Sequence, residues 1–358
     1  MAASEGYLVD FPTLGDLADA WVKHHCKIPD GYNRGGEFEW PDWQYWCGAN
    51  YYRVRPGVEW KSPTEPLLNQ AFAYRRAQIV APQKLGKGPW SASIACLEAV
   101  GPSQFLGWAG KDDGYVCADH GCGCGWEYPY LEFEPMGMRH PSPIIQLTAT
   151  SEDQVANVYR PLTAMIKLSG PLSDLLKVRE GFIRIAGENA GDDFDRIDAV
   201  SSSANGRVGN PVSFVLHDET GLYTKRNKML SIADAQRRGA AGMGGRTMET
   251  TNAWDPSENS YAQRTYESRV DDIFKFYRIP PKQLSWGNKR ERRQILKYVY
   301  EGSPWVSLDS IEAEASELNE TDPAQAERFF GNRLVYGQGS WLRDGLWESR
   351  YAQHPVMA

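Results

Sequence analysis

Short apolar runs of strand length alternate with helical stretches through the first two thirds of the chain. Ala77 to Ala81, mostly apolar, follows the basic pair Arg75-Arg76 and ends at Pro82, which predicts a buried strand. Residues 90–100, "WSASIACLEAV", predict a helix that Gly101-Pro102 closes. Ile144 to Thr148 reads as the next strand, and Ser151 with Gln154 makes an S-x-x-Q capping box that opens a helix. Residues 182–185 and 197–201 predict paired strands around the acidic turn "GENAGDD". "VSFVL" at 212–216, apolar except for Ser213, suits a central parallel strand covered on both faces. A helix over "KRNKMLSIADAQRR" and a strand over "RTMETTNA" at 246–253 follow. This alternation predicts an α/β fold, a mostly parallel sheet flanked by helices. Beyond Pro256 the pattern turns helical, polar and charged. The expected organisation is a core over 1–255, with a Gly-, Cys- and aromatic-rich insertion over about 101–141, then a smaller helical lid or linker over 256–345 and a tail over 346–358.

Composition narrows the class. The chain has 358 residues, 41% of them hydrophobic, enough for a substantial core. No run is long enough to span a membrane, and the N-terminus lacks the basic and apolar regions of a secretory signal. Six cysteines in a chain of this size predict no disulfide framework, so a reduced, cytoplasmic setting is the default. A net charge of −7 argues against a passive nucleic-acid coat. The basic clusters Arg237-Arg238 and "KRERR" at 289–293 suit solvated helix faces.

Candidate chemistry begins with "IVAPQKLGKGPW", residues 79–90. It follows the G-x-x-x-x-G-K-[ST] phosphate-loop frame at Gly86 and Lys87, but Ala81 replaces the first glycine and Gly88 the hydroxyl residue. Backbone N–H groups and a helix N-terminus do most of the work of cradling phosphates, so such a loop remains workable. What it lacks is the hydroxyl for Mg²⁺, and a Gly88→Ser change is expected to restore one without disturbing the loop. Further on, "FVLHDE" delivers Asp218 and Glu219 at the carboxyl end of an apolar strand, where ligands of open α/β sheets bind. Asp218 would hold Mg²⁺ and Glu219 would polarise an attacking water. His217, beside them, reads as a packed strand-end residue. "CADHGCGCGW" places Cys117, His120, Cys122 and Cys124 close together. The ligand types suit structural zinc, and a Gly-rich hairpin with free thiols is the other reading.

In this order and spacing, "VAPQKLGKGP", "VSFVLHDET" and "METTNAW" resemble the ATPase domain of the large terminase subunit of tailed bacteriophages, the motor that packages genomic DNA into procapsids. The resemblance runs over most of the chain and implies a P-loop fold of the ASCE type, with ATP and magnesium as cofactors. It implies that Lys87 binds phosphate, with Gln83, Lys84, Gly86 and Gly88 around it; Gln83 stands where many relatives carry an arginine. Asp218 and Glu219 match the Walker B pair. "TTNA", Thr250 to Ala253, resembles the coupling motif, with Thr251 and Asn252 sensing the γ-phosphate. "WPDWQYW" resembles the adenine-binding element, with Gln44 reading the adenine edge and Trp43 or Tyr45 stacking nearby. Arg207 falls where the family has an arginine finger acting on a neighbouring subunit. The resemblance further implies double-stranded DNA, a portal protein and a small terminase subunit as partners, a homo-oligomeric ring when docked, and work in the host cytoplasm. The family's nuclease has no counterpart here, and "ERFFGNRLVYGQGSWL" resembles the end of the linker before it, so the motor half alone is expected. On the residues themselves two other readings stay open. One is a nucleotide-binding structural subunit without turnover, suggested by Gly88. The other is a zinc-dependent nucleic-acid-binding module whose phosphate-loop likeness is accidental.

Overall fold

The computed structural model describes residues 7–62, 64–186, 194–201 and 211–337. Two helices precede the first strand, α1 (Gly15–His25) and α2 (Asp42–Tyr51). α1 buries a helical stripe of Leu17, Ala18, Trp21 and Val22, whereas periodicity does not predict α2, which buries Trp43, Gln44, Cys47, Asn50 and Tyr51 around most of its circumference and shows no apolar stripe. Strand β1 (Arg76–Val80), buried throughout, leads through a turn into α3 (Lys87–Val100). The insertion forms β2 (Gln104–Trp108), β3 (Gly114–Val116), β4 (Glu127–Pro129) and β5 (Pro135–Met138), paired antiparallel as β2–β5 and β3–β4. Next come β6 (Ile144–Thr148) and α4 (Glu152–Leu168). At the α4 N-cap, Ser151 Oγ accepts from Gln154 N at 3.2 Å, as the capping box predicts. The Gln154 carboxamide turns to the Thr150 hydroxyl instead of completing the box. Helix α5 (Gly170–Leu175) precedes β7 (Leu176–Val178), β8 (Phe182–Ile185) and β9 (Arg196–Val200). β8 and β9 pair antiparallel, as expected; most of the acidic turn between them lies outside the described residues. β10 (Phe214–Asp218) runs further than the sequence pattern suggests, so that Asp218 is its last residue. Then follow α6 (Met229–Gly242), β11 (Arg246–Thr251), α7 (Tyr261–Glu267) and β12 (Ile273–Tyr277). Only after β12 does the chain become wholly helical, in α8 (Lys289–Val299), α9 (Leu308–Thr321) and α10 (Pro323–Gly331).

Eight strands form one sheet in the order β12-β1-β11-β10-β6-β9-β8-β7. From β12 to β9 every pairing is parallel, and β8 and β7 extend the edge antiparallel. β12 thus carries the sheet into the region beyond Pro256. Alternation along β10 divides its side chains. Phe214 and Leu216 join the main core that α3 also lines, whereas Val215 packs with Ala240 of α6. His217 points the same way as Val215, and its Nε2 lies 3.0 Å from Gln236 Oε1. It is buried, and burial holds its pKa down at about 3, which supports its reading as a packing residue. The opposite end of the sheet is tied by Arg246, whose guanidinium donates to Tyr51 O at 2.8 Å and to Glu98 Oε1 at 3.1 Å. It also lies 3.8 Å from the Phe72 ring centroid, so one cation joins α2, α3 and β11. Among the described residues no helix is long and apolar enough to cross a membrane.

Candidate functional site

Because β1, β11 and β10 are adjacent and parallel, their carboxyl ends open at one place. Register puts Val80 beside Thr251 and Thr250 beside Asp218. Thr250 Oγ1 donates to Asp218 Oδ1 at 2.7 Å. Lys87, the first residue of α3, folds back over the loop: Nζ donates to Ala81 O at 2.8 Å, Pro82 O at 3.0 Å and Asn252 Oδ1 at 2.7 Å. Asn252 in turn donates from Nδ2 to Glu219 Oε2 at 2.8 Å. The two partners fix the orientation of the Asn252 amide, its oxygen toward the cation and its nitrogen toward the carboxylate. Lys87, Asn252 and Glu219 are therefore one hydrogen-bonded line across three strand ends. Glu219 turns away from β10 with φ 55°, a left-handed conformation that costs a non-glycine residue about 1 kcal/mol or more. Thr251 Oγ1 accepts from Gly221 N at 2.9 Å, which ties the turn after Glu219 to β11.

Burial sets the electrostatics. Asp218 is pushed up to about 7, first by burial and then by the charge of Glu219; the Thr250 bond and Lys87 act against both. Burial lowers the Lys87 ammonium, while Glu219 and Asp218 raise it. An adjacent pocket of about 610 Å³ is lined by Gln83, Glu219, Thr251, Asn252, Arg226 and Arg328, among others. That volume is within the range of small-molecule sites.

The loop between β1 and α3 is held from two sides. Gly86 caps α3 with φ 103°, and a Cβ there would meet the Trp305 indole at 2.7 Å. Trp305 is half exposed, and nothing in the sequence pattern marks it. Gln83 N donates to Phe329 O at 2.8 Å, and Gln83 O accepts from Tyr300 Oη at 2.7 Å. Lys84 is exposed with φ 63°. Gly88 does not have room for the hydroxyl expected to be restorable there: a Cβ would lie 2.6 Å from the backbone oxygen of Asn157 in α4.

Gln44 lies on α2; it is buried, and no group among the described residues donates to its Oε1. Trp43 stacks on Phe276 at 5.9 Å and donates to Ser303, so its ring is part of the core. Tyr45 donates to Asp16 at 2.5 Å. Arg207 lies outside the described residues.

The cysteine cluster assembles with a different histidine. The His120 ring stacks flat on Tyr115, with centroids 4.5 Å apart, and stays out of the group. His25 at the end of α1 takes its place beside Cys117, Cys122 and Cys124. Chain proximity suggested His120; the packing of α1 against the insertion, which no local spacing reveals, supplies His25.

With β11 inserted between the strand that precedes the loop and the strand that carries the acidic pair, the chain is a mixed α/β protein with a P-loop fold of the ASCE type. It is similar in fold to the HK97 bacteriophage large terminase, with a TM-score of 0.59 at 15% identity over 90% of this chain and 56% of that one. The chain thus spans just over half the length of that protein. Two other large terminases superpose less closely. The ATPase domain of Thermus phage P74-26 has a TM-score of 0.41 at 11% identity, over 75% of this chain and 93% of that one. The large terminase of another thermophilic bacteriophage, in complex with ADP, has a TM-score of 0.40 at 11% identity, over 73% and 49%. At those scores neither adds to the fold assignment. No protein-family model and no curated protein matches the sequence.

Proposed function

We propose that this chain is the ATP-hydrolysing motor of a DNA-packaging large terminase, moving double-stranded DNA into a procapsid. The observation that supports this most is the line Lys87–Asn252–Glu219 at the carboxyl ends of three parallel strands. The residues present fit ATP and magnesium. Asp218 and Glu219 form an oxygen donor set whose mutual repulsion a hard divalent cation would relieve. Gln44 Oε1, buried and without a donor among the described residues, is an acceptor of the kind an adenine amino group satisfies.

In this reading Lys87 and the backbone N–H groups of Lys84, Gly86, Lys87 and Gly88 bind the phosphates, and Gln44 reads the base. Asp218 holds Mg²⁺, which supplies charge neutralisation on the phosphoryl oxygens when bound. Glu219, held through Oε2 by Asn252, keeps Oε1 to accept a proton from water. Thr251 and Asn252 sense the γ-phosphate, Asn252 also joining the hydrolytic carboxylate to the phosphate-binding cation, and Arg207 acts as a finger in a neighbouring subunit. The partners are a portal protein, a small terminase subunit and further copies in a ring, at work in the host cytoplasm.

The test is phosphate release with and without DNA, alongside nucleotide titration. Glu219→Gln should bind ATP and fail to release phosphate, and Lys87→Ala should lose binding. Wild-type turnover in Glu219→Gln would overturn the assignment. The absence of a hydroxyl at Gly88 supports a second reading, a nucleotide-binding structural subunit; it predicts binding without release at any DNA concentration.

A further inference from the structure

We infer that His25, Cys117, Cys122 and Cys124 form a structural zinc site that fastens the 101–141 insertion to helix α1. His25 Nε2 lies 3.5 Å from Cys117 Sγ, 3.6 Å from Cys122 Sγ and 3.4 Å from Cys124 Sγ. All four ligand atoms lie within 4.8 Å of one another. Hydrogen bonding does not account for this arrangement. Nε2 carries either one proton or one lone pair, so it serves one sulfur well and not three. Three sulfurs at nearly equal distance from one nitrogen are what a common centre produces. For tetrahedral zinc, with Zn–S of about 2.3 Å and Zn–N of about 2.0–2.1 Å, the N···S edge is about 3.6 Å. The observed separations fall at that edge.

The surroundings favour the same conclusion. His25 Nδ1 lies 2.9 Å from Trp21 O; donating there fixes the tautomer and turns the Nε2 lone pair toward the sulfurs. Trp21 stacks on the imidazole with centroids 4.3 Å apart, and Trp126 meets it edge-on at 5.7 Å, so the ring is held in place. Trp126 N donates to Cys124 Sγ at 3.4 Å, a bond that a thiolate accepts better than a thiol. A sulfur-rich set selects zinc or another soft divalent ion over magnesium or calcium. The need for such a staple is plain in the insertion. Its strands are only three to five residues long and pair two by two, too little sheet to be stable by itself. This site is independent of the nucleotide chemistry at the other strand ends.

The experiment uses the full 358-residue chain, purified under reducing conditions without chelator. Elemental analysis should find about one zinc per chain. Stripping it should lower the melting temperature, and cobalt added to the stripped protein should give thiolate-to-cobalt charge-transfer bands. His120→Ala should keep its metal, His25→Ala should lose it, and His25→Cys should recover it as a four-thiolate site. If His25→Ala does not fold, the wild-type cobalt spectrum and His120→Ala still decide. Metal-free wild-type protein without cobalt bands overturns the site; metal lost from His120→Ala but kept in His25→Ala overturns the ligand set.

Discussion

Asn157 and Pro161 stand one helical hydrogen bond apart in α4 and cannot make it, since proline has no N–H and its ring displaces the carbonyl four residues back. The Asn157 oxygen abuts the bare Cα of Gly88 instead. The start of α3 is therefore packed against α4 just where a phosphate loop ordinarily carries its hydroxyl residue. Gly88→Ser or Gly88→Ala should lower both thermal stability and nucleotide affinity, by ~1–3 kcal/mol in stability. Pro161→Ala lets that carbonyl return to its helix, so the double variant should be more stable than the two single effects add up to. An unchanged melting temperature in Gly88→Ala would show that α4 does not constrain the loop.

Asn252 joins Lys87 to Glu219. Asn252→Ala frees the ammonium from one internal acceptor and leaves the carboxylate without its donor. Nucleotide binding should hold or tighten while turnover falls by roughly 10²-fold. Equal losses in both would mean that Asn252 acts on the ligand rather than on its neighbours.

Arg246 is buried against Glu98, with its guanidinium over Phe72. Arg246→Met keeps volume but strands a buried carboxylate, and should cost ~3–5 kcal/mol in urea unfolding. Adding Glu98→Gln should recover part of that. If it does not, the lost aromatic contacts carry the effect.

Asp19, on α1, is pushed up to about 6 by burial first and by Asp16 and Glu39 next, against a backbone bond from Trp40. The folded state therefore holds its proton more tightly than the unfolded chain. The resulting stability is full below the ordinary carboxyl range near pH 4 and is lost as pH rises through about 6. Asp19→Asn should raise the melting temperature relative to wild type more at pH 8 than at pH 5. A constant difference would refute the shift.

If Arg207 works in a neighbour, Arg207→Ala should reduce turnover and barely change nucleotide affinity. Mixing it with Glu219→Gln should restore part of the activity, because some interfaces then pair an intact site with an intact arginine. No recovery in demonstrably assembled protein would confine Arg207 to its own subunit or remove its role.

The strands were readable where local chemistry dominates. Ile144–Thr148, the Ser151 cap and the Asp218-Glu219 strand end follow from apolar runs and polar punctuation in one stretch of chain. What depends on distant packing was not readable. Helix α2 hides its period by being buried nearly all round, and β12 lies within text that reads as polar and helical. His25 reaches the cysteines only because α1 packs on the insertion, and the space at Gly88 is filled from a helix that sequence places far away. Lys87 and Glu219 could be named from spacing, but that Asn252 connects them depends on the register of β1, β11 and β10.

Gln83 has both faces of its backbone committed to the far end of the chain, its N–H to Phe329 and its carbonyl to Tyr300. A loop held this way has no independent freedom. Rotating the peptide before Gln83 must snap the bond to Phe329 or haul α10 along, and rotating the one after it must snap the bond from Tyr300 or haul the end of α8 along. Stiffness is then a shared property of the loop and the C-terminal helices, and loosening at residue 300 or 329 should be felt as softness beside Lys87, although no side chain there has changed.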